Sequence, residues 1–343
     1  MQYKTLGRTG LCVSAIGLGG IPIQRITAAQ VSPLLQQLSQ QGVNFIDTAR
    51  AYTVSEDYLG GALEATGLRG RFILATKTMS RTYDDMARDI DLSLKNLRTD
   101  HIDLYQLHNV RTDADFETAF SEHGALRALQ DAVRAGKVLH IGGTAHSTAC
   151  FEKLLSHPEI ESVMFPYNIV ENQGEALMER AAQQGVGVIA MKPLAGGNIT
   201  NGALALRYIL QNQSCTLAIP GMASAEEIAQ NLAAAESTAP LTDGELAEIA
   251  EIRAALTGNF CRRCGYCAPC TAGIDIPGIF TLHGYLANYG LADWARQRYA
   301  TQAAKASDCV QCGACETRCP YNLPIRDKLR CVAEAFGSVS TAN

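Results

Sequence analysis

The chain is predicted to be an α/β protein, a (β/α)8 TIM barrel followed by a small helical domain, on three observations. Eight short apolar or β-branched runs alternate with longer helix-patterned segments over roughly 250 residues, the count and size of such a barrel. Polar residues, Asp47, Lys77 and His108, end three consecutive runs. After about residue 256 the alternation stops, and eight of the twelve cysteines crowd into two tight runs. An open doubly wound sheet is the competing architecture. It calls for G-x-G-x-x-G after the first strand, and Gly17-Leu18-Gly19-Gly20 lacks that spacing.

The first fifteen residues read as a hairpin, with Gly7-Arg8-Thr9-Gly10 as the turn. The barrel strands are expected at Ser14–Leu18, Val43–Asp47, Phe72–Lys77, Ile102–His108, Val138–Gly142, Ser162–Pro166, Val186–Met191 and Thr216–Pro220. Helical periodicity marks Ala28–Gln41, Tyr83–Leu97, Gly124–Ala135, Gly174–Gln184, Gly202–Gln211 and Ser224–Ala235 between them. Leu256-Thr257-Gly258-Asn259 is the hinge, giving domains 1–256 and 257–343. Gly278–Tyr299, between the cysteine runs, reads as helix, and the polar tail Ser338–Asn343 as frayed.

Composition narrows the class. A net charge of −5 gives no reason to expect nucleic acid. No run of about 18 apolar residues is present to span a membrane, and the N-terminus MQYKTLGRTG does not read as a signal peptide. Twelve cysteines without such a signal point to metal ligation in a reducing compartment, hence a cytoplasmic protein.

The second run, Cys309, Cys312, Cys315 and Cys319 followed by Pro320, reads C-x2-C-x2-C-x3-C-P. That is a bacterial [4Fe–4S] spacing, in which the fourth thiol reaches a second cluster. The first run, Cys261, Cys264, Cys267 and Cys270, departs from it, with x2 before the last thiol and Thr271 in place of Pro. Structural zinc is the rival, but it ordinarily draws four ligands from two separated pairs, and here each run supplies four thiols. By analogy with two-cluster ferredoxins, Cys261, Cys264, Cys267 and Cys319 are expected on one cluster. Cys309, Cys312, Cys315 and Cys270 are expected on the other, in a helical ferredoxin-like domain. Ile276-Pro277 and Leu323-Pro324 follow the two runs at similar distances, suggesting an internal duplication. Cys12, Cys150, Cys215 and Cys331 stand alone and read as ordinary packing residues.

Asp47, Lys77 and His108, with Tyr52 in the loop after the second strand, fall on the face of a barrel that carries chemistry. Their types suit hydride transfer to a carbonyl, where a proton must meet the developing oxyanion. A phenol titrating near ~10 is a poor donor at neutral pH. A nearby ammonium lowers that value, and a carboxylate keeps the ammonium placed.

These residues carry a resemblance. Asp47-Thr48-Ala49-Arg50-Ala51-Tyr52, Thr76-Lys77 and Ile102-Asp103-Leu104-Tyr105-Gln106-Leu107-His108 resemble the aldo-keto reductases. So do Ala135-Gly136-Lys137-Val138 through Gly142 and Phe165-Pro166-Tyr167-Asn168, and the cysteine domain resembles the iron–sulfur branch of that family. The resemblance implies a nicotinamide-linked reductase with Tyr52 as general acid, Asp47, Lys77 and His108 supporting it, and Asn168 holding the carboxamide. It also implies a cofactor site at Met191, Leu194, Gly196, Ile219, Gly221, Glu227 and Asn231. One departure stands out: Ile219-Pro220-Gly221-Met222 replaces I-P-K-S, and Glu227 stands where an Arg would grip a 2′-phosphate. A carboxylate there favours NADH over NADPH, unless Glu227 only serves the first turn of a helix or the pocket takes a flavin.

Nicotinamide passes two electrons and a cluster one, so direct exchange needs a converter such as a flavin, in the chain or on a partner. Three functions are therefore expected in order. The first is a barrel enzyme linked through two clusters to an electron-transfer protein. The second is an ordinary reductase of a small carbonyl or alcohol whose clusters brace or sense. The third is a redox adaptor that does not catalyse. The substrate is not legible: Ile21–Ile26, Asn109–Phe116 (with Arg111) and Ala195–Thr200 are short mixed loops.

Overall fold

A computed structural model describes Met1–Gly337; the tail 338–343 lies outside the described residues. The N-terminal hairpin pairs β1 (Tyr3–Thr5) with β2 (Cys12–Ser14), antiparallel. A short 3-10 turn over Gly7–Thr9 and a left-handed Gly10 join them. Leu6 and Val13 from this hairpin are fully buried against Phe45, Leu104, Met164 and Leu217, so it stoppers one end of the barrel.

The barrel strands are β3 (Leu18–Gly19), β4 (Phe45–Asp47), β5 (Ile73–Thr78), β6 (Ile102–Leu107), β7 (Val138–Thr144), β8 (Ser162–Pro166), β9 (Gly187–Met191) and β10 (Leu217–Ala218). Among the described residues they form one parallel sheet in sequential order. Closure comes from parallel bridges Ile16–Ala218 and Gly19–Gly221, with Gly17 N donating to Ala218 O at 2.9 Å and Gly19 N to Pro220 O at 2.8 Å. Around it run α1 (Ala28–Gln40), α2 (Ser55–Thr66), α3 (Tyr83–Leu97), α4 (Asp113–Ala119) and α5 (Ala125–Arg134). They continue with α6 (Thr148–Leu155), α7 (Glu175–Gln183), α8 (Gly202–Gln211) and α9 (Ala225–Ala233).

The predicted strands and helices fall on observed ones. The first expected barrel strand, Ser14–Leu18, is divided: Ser14 ends the hairpin strand, Ile16 and Gly17 meet Ala218 at the closing seam, and Leu18–Gly19 pairs with β4. Strand alternation sorts the side chains. Phe45, Ala75, Leu104, Ile189 and Leu217 form the inner core, while Ile46, Leu74, Tyr105, Val188 and Ala218 pack outward among the helices.

The chain separates into two compact units. One comprises Met1–Leu194 with Asn201–Thr242, and the other Ala195–Thr200 with the chain from Asp243 onward. In the second unit, α10 (Asp243–Leu256), α11 (Ile276–Ala287), α12 (Ala292–Ala300), α13 (Ala314–Thr317) and α14 (Ile325–Gly337) surround cysteine-bearing loops. The helix expected over Gly278–Tyr299 is two helices, broken at Gly290, whose φ of +65° admits the turn. Trp294 meets Tyr285 edge-on at 4.9 Å, a packing contact within this unit. Asn288 Nδ2 donates to Gly196 O at 3.0 Å, one reason the Ala195–Thr200 segment groups here.

Candidate active site and thiol hollows

Asp47, Lys77 and Gln106 each stand two residues beyond a core side chain (Phe45, Ala75, Leu104), so alternation brings all three to one end of the interior. Lys77 Nζ donates to Asp47 Oδ2 at 2.5 Å and to the Thr48 carbonyl at 2.8 Å. Gln106 Nε2 donates to Asp47 Oδ1 at 3.2 Å. Asp47 and Lys77 are each 2% exposed. Burial pushes the Asp47 carboxyl up and the Lys77 ammonium down, and their mutual attraction opposes both shifts.

Tyr52 lies on the loop between β4 and α2. Its backbone N–H donates to Ala49 O at 3.0 Å, and its carbonyl accepts from Ser55 N at 2.8 Å. Lys77 Nζ sits 5.0 Å from the Tyr52 ring centroid. The His108 ring stands edge-on to Tyr52 at 6.3 Å, with the rings at 89°. Backbone hydrogen bonding from His108 N to Thr78 O at 2.9 Å sets the start of its loop. The four expected residues are thus gathered at one place. Sequence reasoning passed over Gln106, although a polar residue in step with His108 inside an apolar strand was the signal.

The expected cofactor residues are more dispersed. Met191 and Ile219 end the inner rows of β9 and the β10 edge, largely buried in the inner core. Asn168 is fully buried: Nδ2 donates to Glu171 Oε2 at 2.9 Å and Lys192 O at 3.0 Å, and Oδ1 accepts from Val170 N and Glu171 N, each at 2.9 Å. With two donors and two lone pairs engaged, Asn168 binds a carboxamide only by exchanging one of these partners. Gly221 approaches Pro22 so closely that a Cβ would lie 2.6 Å from Pro22 Cγ. Asn231 Nδ2 lies 3.5 Å from Gly221 O. Glu227 takes Arg25 Nη2 on both carboxylate oxygens, at 2.9 and 3.2 Å, and accepts from Ala223 N at 2.6 Å. Its own N–H donates to the capping Ser224 hydroxyl at 3.1 Å, so Glu227 also closes the start of α9. Leu194 ends the barrel stretch of β9, whereas Gly196 lies in the segment that groups with the second unit.

In the second unit the cysteines line two hollows. Cys261, Cys264, Cys267 and Cys319 line one, with Phe260 and Phe280. Cys270, Cys309, Cys312 and Cys315 line another. Each hollow therefore takes three thiols from one run and one from the other. The loops repeat in backbone as well. Arg263 and Gly265 have φ of +57° and +83°, Gln311 and Gly313 +58° and +78°, and Gly273 and Asn322 +72° and +51°. Burial, reinforced by the neighbouring Cys261 and Cys264, pushes the Cys267 thiol up to about 12. Hydrogen bonding with the Thr271 hydroxyl, 3.3 Å away, holds Cys312 lower. Among the described residues no three His, Cys, Asp or Glu side chains converge as a single-ion site. Four soft sulfur donors around a volume are the donor set of an iron–sulfur cluster.

A buried acid–ammonium pair thus lies under a tyrosine at the C-terminal end of a parallel barrel, the face on which enzymes of this α/β-barrel class carry their chemistry. The aldo/keto reductase family model matches residues 15–203 and 197–254, and a 4Fe-4S dicluster domain model matches 260–324. The chain belongs to the aldo/keto reductase family and carries a C-terminal 4Fe-4S domain. It is similar to an uncharacterized oxidoreductase of Bacillus subtilis, 32% identical over 60% of this chain and 70% of the relative. An L-galactose dehydrogenase of Arabidopsis thaliana is 26% identical, over 68% and 88%. A 6-dehydroglucose reductase of Novosphingobium aromaticivorans is 30% identical, over 68% and 80%. In fold it is similar to the holo form of an aldo-keto reductase from Bacillus halodurans, with TM-score 0.64 at 24% identity, covering 74% of this chain and 96% of that one. Among the described residues no helix is long and apolar enough to cross a membrane.

Proposed function

We propose that the barrel interconverts a small carbonyl compound and its alcohol with a nicotinamide cofactor, and that two [4Fe–4S] clusters exchange electrons with a flavin or a partner protein. The observation that carries this is the buried Lys77–Asp47 pair beneath the Tyr52 ring, flanked by His108. Tyr52 is the general acid that protonates the carbonyl oxygen. Lys77 keeps positive charge beside the phenol, Asp47 holds Lys77, and His108 orients the oxygen. A nicotinamide cofactor, when bound, would supply the hydride, and Met191 and Ile219 would offer it apolar surface. The sugar-directed names of two relatives, a galactose dehydrogenase and a dehydroglucose reductase, favour a polyhydroxylated substrate.

Arg25 is committed to Glu227, so this corner presents a neutral pair instead of a free cation for a 2′-phosphate. That supports NADH. A second reading, in which the clusters brace the unit, has its own support: Cys267 and Cys315 are buried in the second unit's core with Ile274, Ile276 and Leu323.

The test is steady-state reduction of a panel of sugar aldehydes and ketones by anaerobically prepared protein, with NADH and NADPH compared. Tyr52→Phe is expected to lower kcat by about 10²–10⁴-fold with the iron content unchanged. Survival of the rate removes Tyr52 as the acid. Equal catalytic efficiency with the two cofactors removes the charge argument at Glu227.

A further inference from the structure

The barrel unit holds a second buried charge cluster, outside the proton-handling groups. Glu56, in the first turn of α2, is 1% exposed. Its carboxylate accepts from Arg50 Nη1 at 2.5 Å, Thr76 Oγ1 at 2.8 Å, Ser93 Oγ at 2.8 Å and Asn96 Nδ2 at 3.3 Å. A carboxylate offers about four acceptor directions, so these donors saturate it.

The donors come from separate pieces of the site's scaffold. Arg50 belongs to the loop that carries Tyr52, two residues away. Thr76 precedes Lys77 on β5; alternation turns Thr76 outward where Lys77 turns in. Ser93 and Asn96 belong to α3, and Ser93 Oγ also lies 3.3 Å from the Tyr105 hydroxyl on β6, three residues before His108. Two other charged groups face this cluster: Asp89 of α3, whose Oδ1 is 4.0 Å from Arg50 Nε, and the Lys77 ammonium, which feels the Glu56 charge. Asp89 Oδ2 in turn takes the Thr78 and Ser80 hydroxyls at 2.5 Å each. Arg50 thus hydrogen-bonds Glu56 directly and faces Asp89 only at the longer 4.0 Å separation.

We infer that Glu56, acting through Arg50 and Thr76, is a positioning residue that fixes the Tyr52 loop against the Lys77 strand. The inference deepens the reading of Tyr52 and Lys77 as the proton-handling pair and rests on it. The physical need is plain in the loop: it is irregular between β4 and α2, and Thr53 has a left-handed φ of +41°. Arg50 N already donates to Lys77 O at 3.0 Å, tying the loop backbone to the Lys77 strand, and the Arg50 side chain adds a second attachment, to a buried, saturated anion. A tyrosine displaced by about 1 Å from its reacting geometry loses much of its effect while substrate binding persists.

The test uses full-length, cluster-loaded protein as Arg50→Met, Glu56→Gln and the double variant. Hydrogen–deuterium exchange is followed on peptides covering Thr48–Val54, and turnover with NADH and para-nitrobenzaldehyde as the probe carbonyl. All three variants are expected to exchange this loop about tenfold faster or more. They are expected to lower kcat about 10- to 100-fold, with KM for the probe held within about twofold. Arg50→Met leaves the buried Glu56 carboxylate without its cation, and the double variant removes that charge, so the double variant regains melting temperature over Arg50→Met. A positioning role predicts that kcat stays low in the double variant. If kcat recovers together with stability, or if loop exchange is unchanged, the inference is overturned. If wild-type protein does not turn over the probe, loop exchange decides the positioning role, and the failure belongs to the reading of the activity.

Discussion

In the barrel unit Lys77 meets a carboxylate 30 residues away in sequence, whereas Cys261, Cys264 and Cys267 reach one hollow with two residues between neighbours. The barrel gathers its site by architecture: parallel strands in register deliver every second side chain to the interior, and the last of each row becomes the site. The cysteine unit gathers its thiols by local spacing and left-handed turns, and needs distant chain only for the fourth thiol of each hollow. Damage should therefore spread differently. A barrel residue is held by several elements at once, and a cluster thiol mainly by its own loop.

The largest expected effect tests the one non-local feature of the cysteine unit. If the fourth thiols cross over, Cys270→Ala and Cys319→Ala each lose about half the iron, and each loses the cluster held by the opposite run. Iron and sulfide assays, with electron paramagnetic resonance of the reduced protein, read this. Full iron retention in Cys270→Ala breaks the crossed assignment. If the clusters brace the unit, these variants also lose stability; if they conduct, electron exchange with a one-electron dye is lost first.

Next in size is Lys77→Met. Removing one member of a buried ion pair leaves Asp47 charged without its partner, and such losses amount to about 3–5 kcal/mol. Chemical denaturation should show this in the barrel transition with iron content unchanged. Asp47→Asn combined with Lys77→Met should restore part of the stability and none of the turnover. A Lys77→Met protein as stable as wild type would mean that the pair is not buried in solution.

The smallest effect is on pH. Burial lowers the pKa of His283, on α11, with Lys328 adding to the shift. The folded protein thus binds this proton less readily than the unfolded chain. Stability contributed by the second unit is unaffected above the unfolded value near ~6.5, and falls as pH drops through it. His283→Gln should flatten that part of the stability profile, as measured by melting the cluster-loaded protein across pH. An unchanged slope would show that His283 is as readily protonated folded as unfolded.

Much of this was legible in sequence because it depends on local patterns. Alternating apolar runs mark the barrel strands, and the thiol spacing marks the cluster loops. Asp47, Lys77 and His108 announce themselves as polar ends of apolar runs. Glu56 did not, because it looks an ordinary first-turn acid in its own segment, and Gln106 was signalled only by its two-residue step from His108. Glu227 shows the converse, since the sequence offered either a ribose partner or a first-turn helix carboxylate, and the fold supplied Arg25 from 202 residues away.

The sequence by itself determined the strand and helix order, the polar strand ends and the cysteine loops, because backbone propensity, side-chain periodicity and short-range spacing act within a few residues. Only the tertiary structure decided which partners those groups meet. Closing the sheet from β3 to β10 put Gln106 beside Asp47, and packing α2 and α3 outside β5 buried Glu56 among four donors. Folding the cysteine unit likewise placed Cys270 and Cys319 at the opposite hollows. Charge pairing and saturation of a buried acceptor are properties of enclosed space, and no stretch of chain contains them until the fold excludes water.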